Sequence, residues 1–143
     1  MKKLPIGIQT FSKIREGDYY YVDKTRYVYK LTNENGGYYF LSRPRRFGKS
    51  LFVDTLKEAF RGNKELFKDL YLEDKWDWNR RYPVIHVSFG SGVDGAEHLI
   101  NDILFILNQH AREYEVELRE KFYNLRLKEL IIELYRKYKE RVV

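Results

Sequence analysis

No cysteine occurs in the 143 residues, and proline (3) and methionine (1) are scarce. Without cysteine there is no disulfide framework and no thiolate-ligated metal. The only histidines, His86, His98 and His110, are too scattered for a metal site, and His98 and His110 are placed on the surface of one predicted helix. No run approaches the ~20 consecutive apolar residues of a membrane span. Met1-Lys2-Lys3 leads into Leu4-Pro5-Ile6-Gly7 and then polar residues, too short an apolar run for a secretory signal. A cytoplasmic chain with no membrane partner is the simplest fit. Neither a Ser-His-Asp arrangement nor a pair of carboxylates stands out, so no catalytic residue is assigned. Repeats, low-complexity runs and linkers are missing too. The length suits one domain over residues 1–143, which would bury roughly 68% of its unfolded surface.

What is present is charge of both signs, 34% of residues, with an excess of +6. A basic excess implies nucleic acid only where it is clustered. The sharpest cluster is Arg43, Arg45, Arg46 and Lys49, and elsewhere lysine and arginine alternate with glutamate.

That cluster sits in the most informative stretch. Tyr38 to Leu41 is an aromatic and apolar run bounded by Gly36-Gly37, which predicts a strand leaving a turn. From Lys49 onward Phe52, Leu56, Ala59 and Phe60 recur at helical spacing, and Gly62 is placed as a left-handed C-cap. Gly48-Lys49-Ser50 therefore falls at a strand-to-helix junction. Amide donors of a tight turn and of a helix N-terminus together form an anion cradle. Gly48 would let the backbone close on a phosphate, Lys49 would bring a mobile charge to it, and the Ser50 hydroxyl would ligate Mg²⁺. The usual pattern G-x-x-x-x-G-K-[ST] is departed from at position 43, where Arg43 replaces glycine. The competing reading of the bare triplet is a basic surface turn.

The remaining elements follow from local patterns. Tyr19 to Val22 predicts a short strand, and Asp23 is a natural cap for a helix over 24–32, with Tyr27, Val28 and Leu31 inward. A short helix is predicted over 63–70. Trp76 and Trp78, two apart, cannot share a helix face, so one is placed inward and the other outward or under a loop. Pro83 to Phe89 predicts a parallel strand covered on both faces, followed by a glycine-rich loop. Asp94, with Glu97, would cap a helix from Gly95 to about Arg112 carrying Leu99, Ile103, Ile106 and Leu107. A helix over 114–123 would break near Asn124, which would cap a last one to about Glu140. Leu127, Leu130, Ile131, Leu134 and Tyr138 would face inward there, with Glu133 and Lys137 paired outside.

The string Ser42-Arg43-Pro44-Arg45-Arg46-Phe47-Gly48-Lys49-Ser50-Leu51 resembles the P-loop variant of the AAA-ATPase-like family of bacteria and archaea, whose members carry Arg-Pro-Arg-Arg-Phe-Gly-Lys-Ser at this point. Tyr21-Val22-Asp23-Lys24-Thr25 also resembles a motif of that family. Together with the order of elements, the resemblance implies an α/β fold, a P-loop NTPase-type parallel sheet flanked by helices and cut short before its Walker B strand. It implies that Arg43, Pro44, Arg45, Arg46, Phe47, Gly48, Lys49, Ser50 and Leu51 hold ATP, with Mg²⁺ on Ser50. By analogy with related ATPases, Ile8, Phe11 and Ile14 would wall the adenine base, against the alternative that they are core. Relatives often carry a nuclease domain further on, which makes nucleic acid a second partner of a longer protein; an oligomer is compatible with either reading. Three functions compete: an ATP-binding module that by itself does not turn ATP over, a nucleic-acid module using the Arg43–Arg46 loop, and an interaction domain with an empty loop.

Overall fold

The computed structural model describes residues 2–33, 37–89 and 95–143. Gly36, Asp94 and most of the glycine-rich loop after Phe89 lie outside the described residues. Five α-helices are present among them: α1 (Phe11–Glu16), α2 (Thr25–Asn33), α3 (Lys49–Phe60), α4 (Gly95–Glu113) and α5 (Tyr123–Tyr138), with a 3₁₀ turn at Lys64–Phe67. They fall into two compact units, Met1–Arg81 and Tyr82–Val143. Among the described residues no helix is long and apolar enough to cross a membrane.

The predicted parallel sheet is not found among the described residues. Residues 19–22, 38–41 and 83–89 form no strand, and the described residues hold one isolated parallel bridge, between Lys3 and Tyr19. Val143 donates to the Pro83 carbonyl (2.9 Å) and accepts from the Ile85 amide (2.7 Å), a single pair of bonds. Tyr38 and Phe40 are 108% and 93% exposed rather than covered. The physical reason is that a strand is completed by neighbours. An apolar run reports only that a segment tolerates an extended, covered state. Ladder partners and a covering layer are long-range facts that the run does not contain.

The first unit closes around Phe11, Val28, Ala59, Phe67 and Leu72. Phe11 and Ile14, three apart on α1, are both fully buried, which places them in the core. On α2 the buried pair is Thr25 and Val28, whereas Tyr27 is 47% exposed, contrary to the pattern reading. On α3 the buried positions are Asp54, Thr55, Glu58 and Ala59, so a largely polar stripe faces in while Phe52 and Leu56 are half-buried. Those polar groups are tolerated because each is bonded. The Asp54 carboxylate accepts the Phe11 amide (2.7 Å) and the Lys57 ammonium, and Glu58 accepts from Asn63. Arg15 fastens α1 to the 3₁₀ turn region by donating to the carbonyls of Leu66 (2.7 Å) and Lys68 (2.5 Å). Trp76 and Trp78 both pack on this core, with ring centroids 6.2 Å apart. They lie in a turn, so the rule that helical neighbours two apart diverge does not apply.

Asp23 joins α2 to the segment after the 3₁₀ turn. Its carboxylate accepts the Thr25 amide, the Thr25 hydroxyl and the Tyr71 amide, each at 2.7 Å. Partial burial opposes its charge, but the bonds from Tyr71 and Thr25 outweigh it and hold the carboxyl below its ordinary value, helped by Arg15. A depressed pKa means that this stabilisation is complete above the unfolded value, about 3.9, and is lost as pH falls through the folded one. Asp23→Ala is expected to cost about 1–2 kcal/mol at neutral pH. In thermal melts the gap between wild type and Asp23→Asn should narrow steadily as pH falls below about 4. A gap unchanged down to pH 3 would refute this role.

In the second unit α4 and α5 meet through Leu107, Ala111, Leu130 and Leu134, the i,i+4 stripes of two amphipathic helices. Several sequence expectations fail here. Residues 116–122 are irregular, and α5 starts at Tyr123 without a side-chain cap from Asn124. Leu127, Ile131 and Tyr138 are 38–42% exposed. Glu133 pairs with Arg136 (2.6 Å), and Lys137 instead donates to the Tyr114 carbonyl (2.7 Å). His98 is exposed, but His110 is buried, its Nε2 donating to the His86 carbonyl at 3.0 Å. For Lys137 and His110 a partner outside the helix overrides the intrahelical pattern.

Candidate functional site

The loop between Leu41 and α3 is shaped by two left-handed residues, Arg46 (φ 67°) and Gly48 (φ 74°). They turn the chain twice around Phe47 and deliver it to the first turn of α3. A non-glycine residue pays for this conformation, so Arg46 is a locally strained position. At Gly48 a Cβ would meet nothing nearer than the Lys24 ammonium at 3.7 Å. The glycine is therefore required by backbone angle and not by space.

Lys49 is the first residue of α3, and its side chain folds back over the loop. The ammonium donates to the Pro44 carbonyl (2.9 Å) and to the Arg43 carbonyl, so the loop is wrapped around it. No side chain caps α3, and its first backbone bond runs from Phe52 to Gly48 (2.9 Å). The amides of Gly48, Lys49, Ser50 and Leu51 bond to nothing among the described residues, which leaves four donors at the positive end of a 12-residue helix.

The other predicted residues are placed as follows. Arg43, Pro44, Arg45, Arg46 and Ser50 are exposed, and the three arginine side chains and the Ser50 hydroxyl bond to nothing among the described residues. Phe47 is 63% exposed. Leu51 is half-buried and packs on the first unit's core, so only its amide is offered to the loop. Ile8 is half-buried, and Phe11 and Ile14 are sealed in the core, unable to meet a base. Asp54, one turn into α3, is occupied by Phe11 and Lys57. Among the described residues no three His, Asp or Glu side chains gather in a way that could hold a metal.

Two cavities flank the loop. One, about 470 Å³, is lined by Lys24, Tyr27, Tyr39, Arg43, Phe47 and Gly48 among others; the other, about 340 Å³, by Tyr21, Lys24, Arg46, Phe47, Gly48 and Leu51 among others. A larger cavity, about 710 Å³, lies in the second unit between Glu115, Arg119, Glu129, Arg136 and Lys137. Its charges largely satisfy one another, and Glu129 is already held by the amides of Arg119 and Glu120, which keep its carboxyl below the ordinary value. Size alone therefore does not select it. Sequence reasoning did not assign Lys24 to the site, although it lines both cavities at the loop; its signals were its place beside the capping Asp23 and within the Tyr21–Thr25 string.

Fold and site define a helical chain that presents a basic Gly-Lys-Ser loop at an uncapped helix start. The family described as Predicted AAA-ATPase matches residues 5–143, and the chain belongs to it. The resemblance read from the Arg43–Ser50 string is thus supported at the level of the family. A protein of Azotobacter chroococcum mcd 1, described as "Uncharacterized protein in vnfD 5'region", is 52% identical over 144 residues. That similarity covers 99% of this chain, which spans 28% of the length of the Azotobacter protein. No solved structure matches the chain.

Proposed function

We propose that this chain is the nucleotide-binding module of an AAA-like ATPase, with the 43–51 loop holding the phosphates of ATP. The observation that carries the reading is the Lys49 ammonium, bonded to the carbonyls of Arg43 and Pro44 above the unbonded amides of residues 48–51. The loop is curled before any ligand arrives, so little ordering has to accompany binding. The amides would take phosphate oxygens, Lys49 would exchange a carbonyl for a phosphate, and Arg43, Arg45 and Arg46 would supply further charge from the rim. The free Ser50 hydroxyl fits a protein ligand of Mg²⁺, which when bound would neutralise phosphate charge. Asp54 does not contribute, because its oxygens are engaged by Phe11 and Lys57.

Calorimetric titration tests this reading through the arginines. Arg45→Ala with Arg46→Ala is expected to weaken ATP·Mg²⁺ by roughly ten- to a hundredfold while leaving adenosine unchanged, since each lost charged hydrogen bond is worth about 1.5–3 kcal/mol before solvent screening. Equal losses for both ligands would count against phosphate binding. A nucleic-acid role for the same exposed arginines would show instead as a salt slope lowered by about two units with ATP affinity intact.

A further inference from the structure

We propose that Lys24 is a second phosphate-binding lysine, reaching the 43–51 loop from the start of α2 and binding the polyphosphate part of a nucleoside triphosphate. The proposal rests on the nucleotide reading above. The Lys24 ammonium is the nearest group to the open side of Gly48, 3.7 Å from where a Cβ would stand. It also borders both cavities beside the loop, with Arg43 in the wall of one and Arg46 in the wall of the other.

Its backbone is fixed on both sides. Asp23 is bonded to Thr25 and Tyr71, and the fully buried Thr25 accepts the Leu72 amide at 3.1 Å. Lys24 is therefore carried on a rigid elbow and does not drift at a chain end. Its side chain has no carboxylate partner among the described residues, because the adjacent Asp23 is turned toward Thr25 and Tyr71. Lys24, Arg43 and Arg46 thus border the cavities beside Gly48, with Lys49 next to it in the loop, and no acid lines either cavity. Such an arrangement repels itself, and a bound polyanion relieves it. An exposed lysine serving stability alone would more often be paired or would lie away from like charge.

The test titrates the purified chain with inorganic triphosphate and, separately, with ATP, both with Mg²⁺. Lys24→Gln is expected to weaken both ligands about tenfold, the equivalent of roughly 1.4 kcal/mol for one charged hydrogen bond. Its unliganded melting temperature should be unchanged or higher, because a repelling cation has gone. Lys24→Arg should restore most of the triphosphate affinity. If Lys24→Gln binds inorganic triphosphate like wild type while Lys49→Ala does not, the Lys24 assignment is overturned and the loop reading stands. Loss of affinity accompanied by loss of unliganded stability, with no rescue by arginine, would also overturn it. Failure of the wild type to bind either ligand would remove the loop reading and this proposal together.

Discussion

ATP with Mg²⁺ is expected to stabilise the chain, and Lys49→Ala to abolish that stabilisation while changing the unliganded protein little. A ligand present at about 100 times its dissociation constant adds roughly 2.7 kcal/mol to the folded state. For a chain of this length that is a rise in melting temperature on the order of 5–10 °C. Among the described residues the Lys49 ammonium donates to the carbonyls of Arg43 and Pro44, both at exposed residues, so its removal loosens the loop and leaves the core around Phe11 and Phe67 alone. Differential scanning fluorimetry of both proteins with and without ATP·Mg²⁺ reads this directly. A shift that survives in Lys49→Ala would mean that nucleotide binds elsewhere.

The second large effect concerns the core. Phe67 is fully buried, with its ring 4.9 Å from both Phe11 and Trp78. Phe67→Ala is expected to cost about 3–5 kcal/mol, combining lost transfer energy with a cavity between α1 and the tryptophan turn. Trp76 and Trp78 both belong to this core, so denaturant unfolding followed by tryptophan fluorescence reports on it. Phe40→Ala is the informative contrast. As part of a buried strand Phe40 would cost as much as Phe67, but at 93% exposure it should change stability by less than about 0.5 kcal/mol. A large loss at Phe40, or a small one at Phe67, would contradict the packing described above.

The same contrast explains what the sequence could reveal. The start and end of α3 were legible because they are set locally: Lys49 follows a left-handed glycine, and Gly62 (φ 75°) stops the helix as its lack of a Cβ allows. The role of Asp23 was legible for the same reason, since a side-chain cap acts within two residues. Its further bond to the Tyr71 amide was not. That Tyr38–Leu41 and Pro83–Phe89 form no sheet could not be read from their apolar runs, because ladder partners are not encoded within those segments. The inward turn of Asp54 and Glu58 was equally hidden, as polar residues ordinarily mark the outer face. They face inward because Phe11, Lys57 and Asn63 meet them there. At the loop, residue types pointed to phosphate chemistry, but the fold of Lys49 onto the Arg43 and Pro44 carbonyls and the approach of Lys24 depend on contacts across the unit.

If the amides at the start of α3 form a phosphate cradle, their chemical shifts report on it residue by residue. Titration of the ¹⁵N-labelled chain with ATP·Mg²⁺ should move the amides of Gly48, Lys49, Ser50 and Leu51 most, because these four donors have no partner among the described residues. Adenosine alone should leave them in place. Saturating ATP·Mg²⁺ that shifts none of these four, or shifts residues 115–137 around the larger cavity instead, would contradict the account.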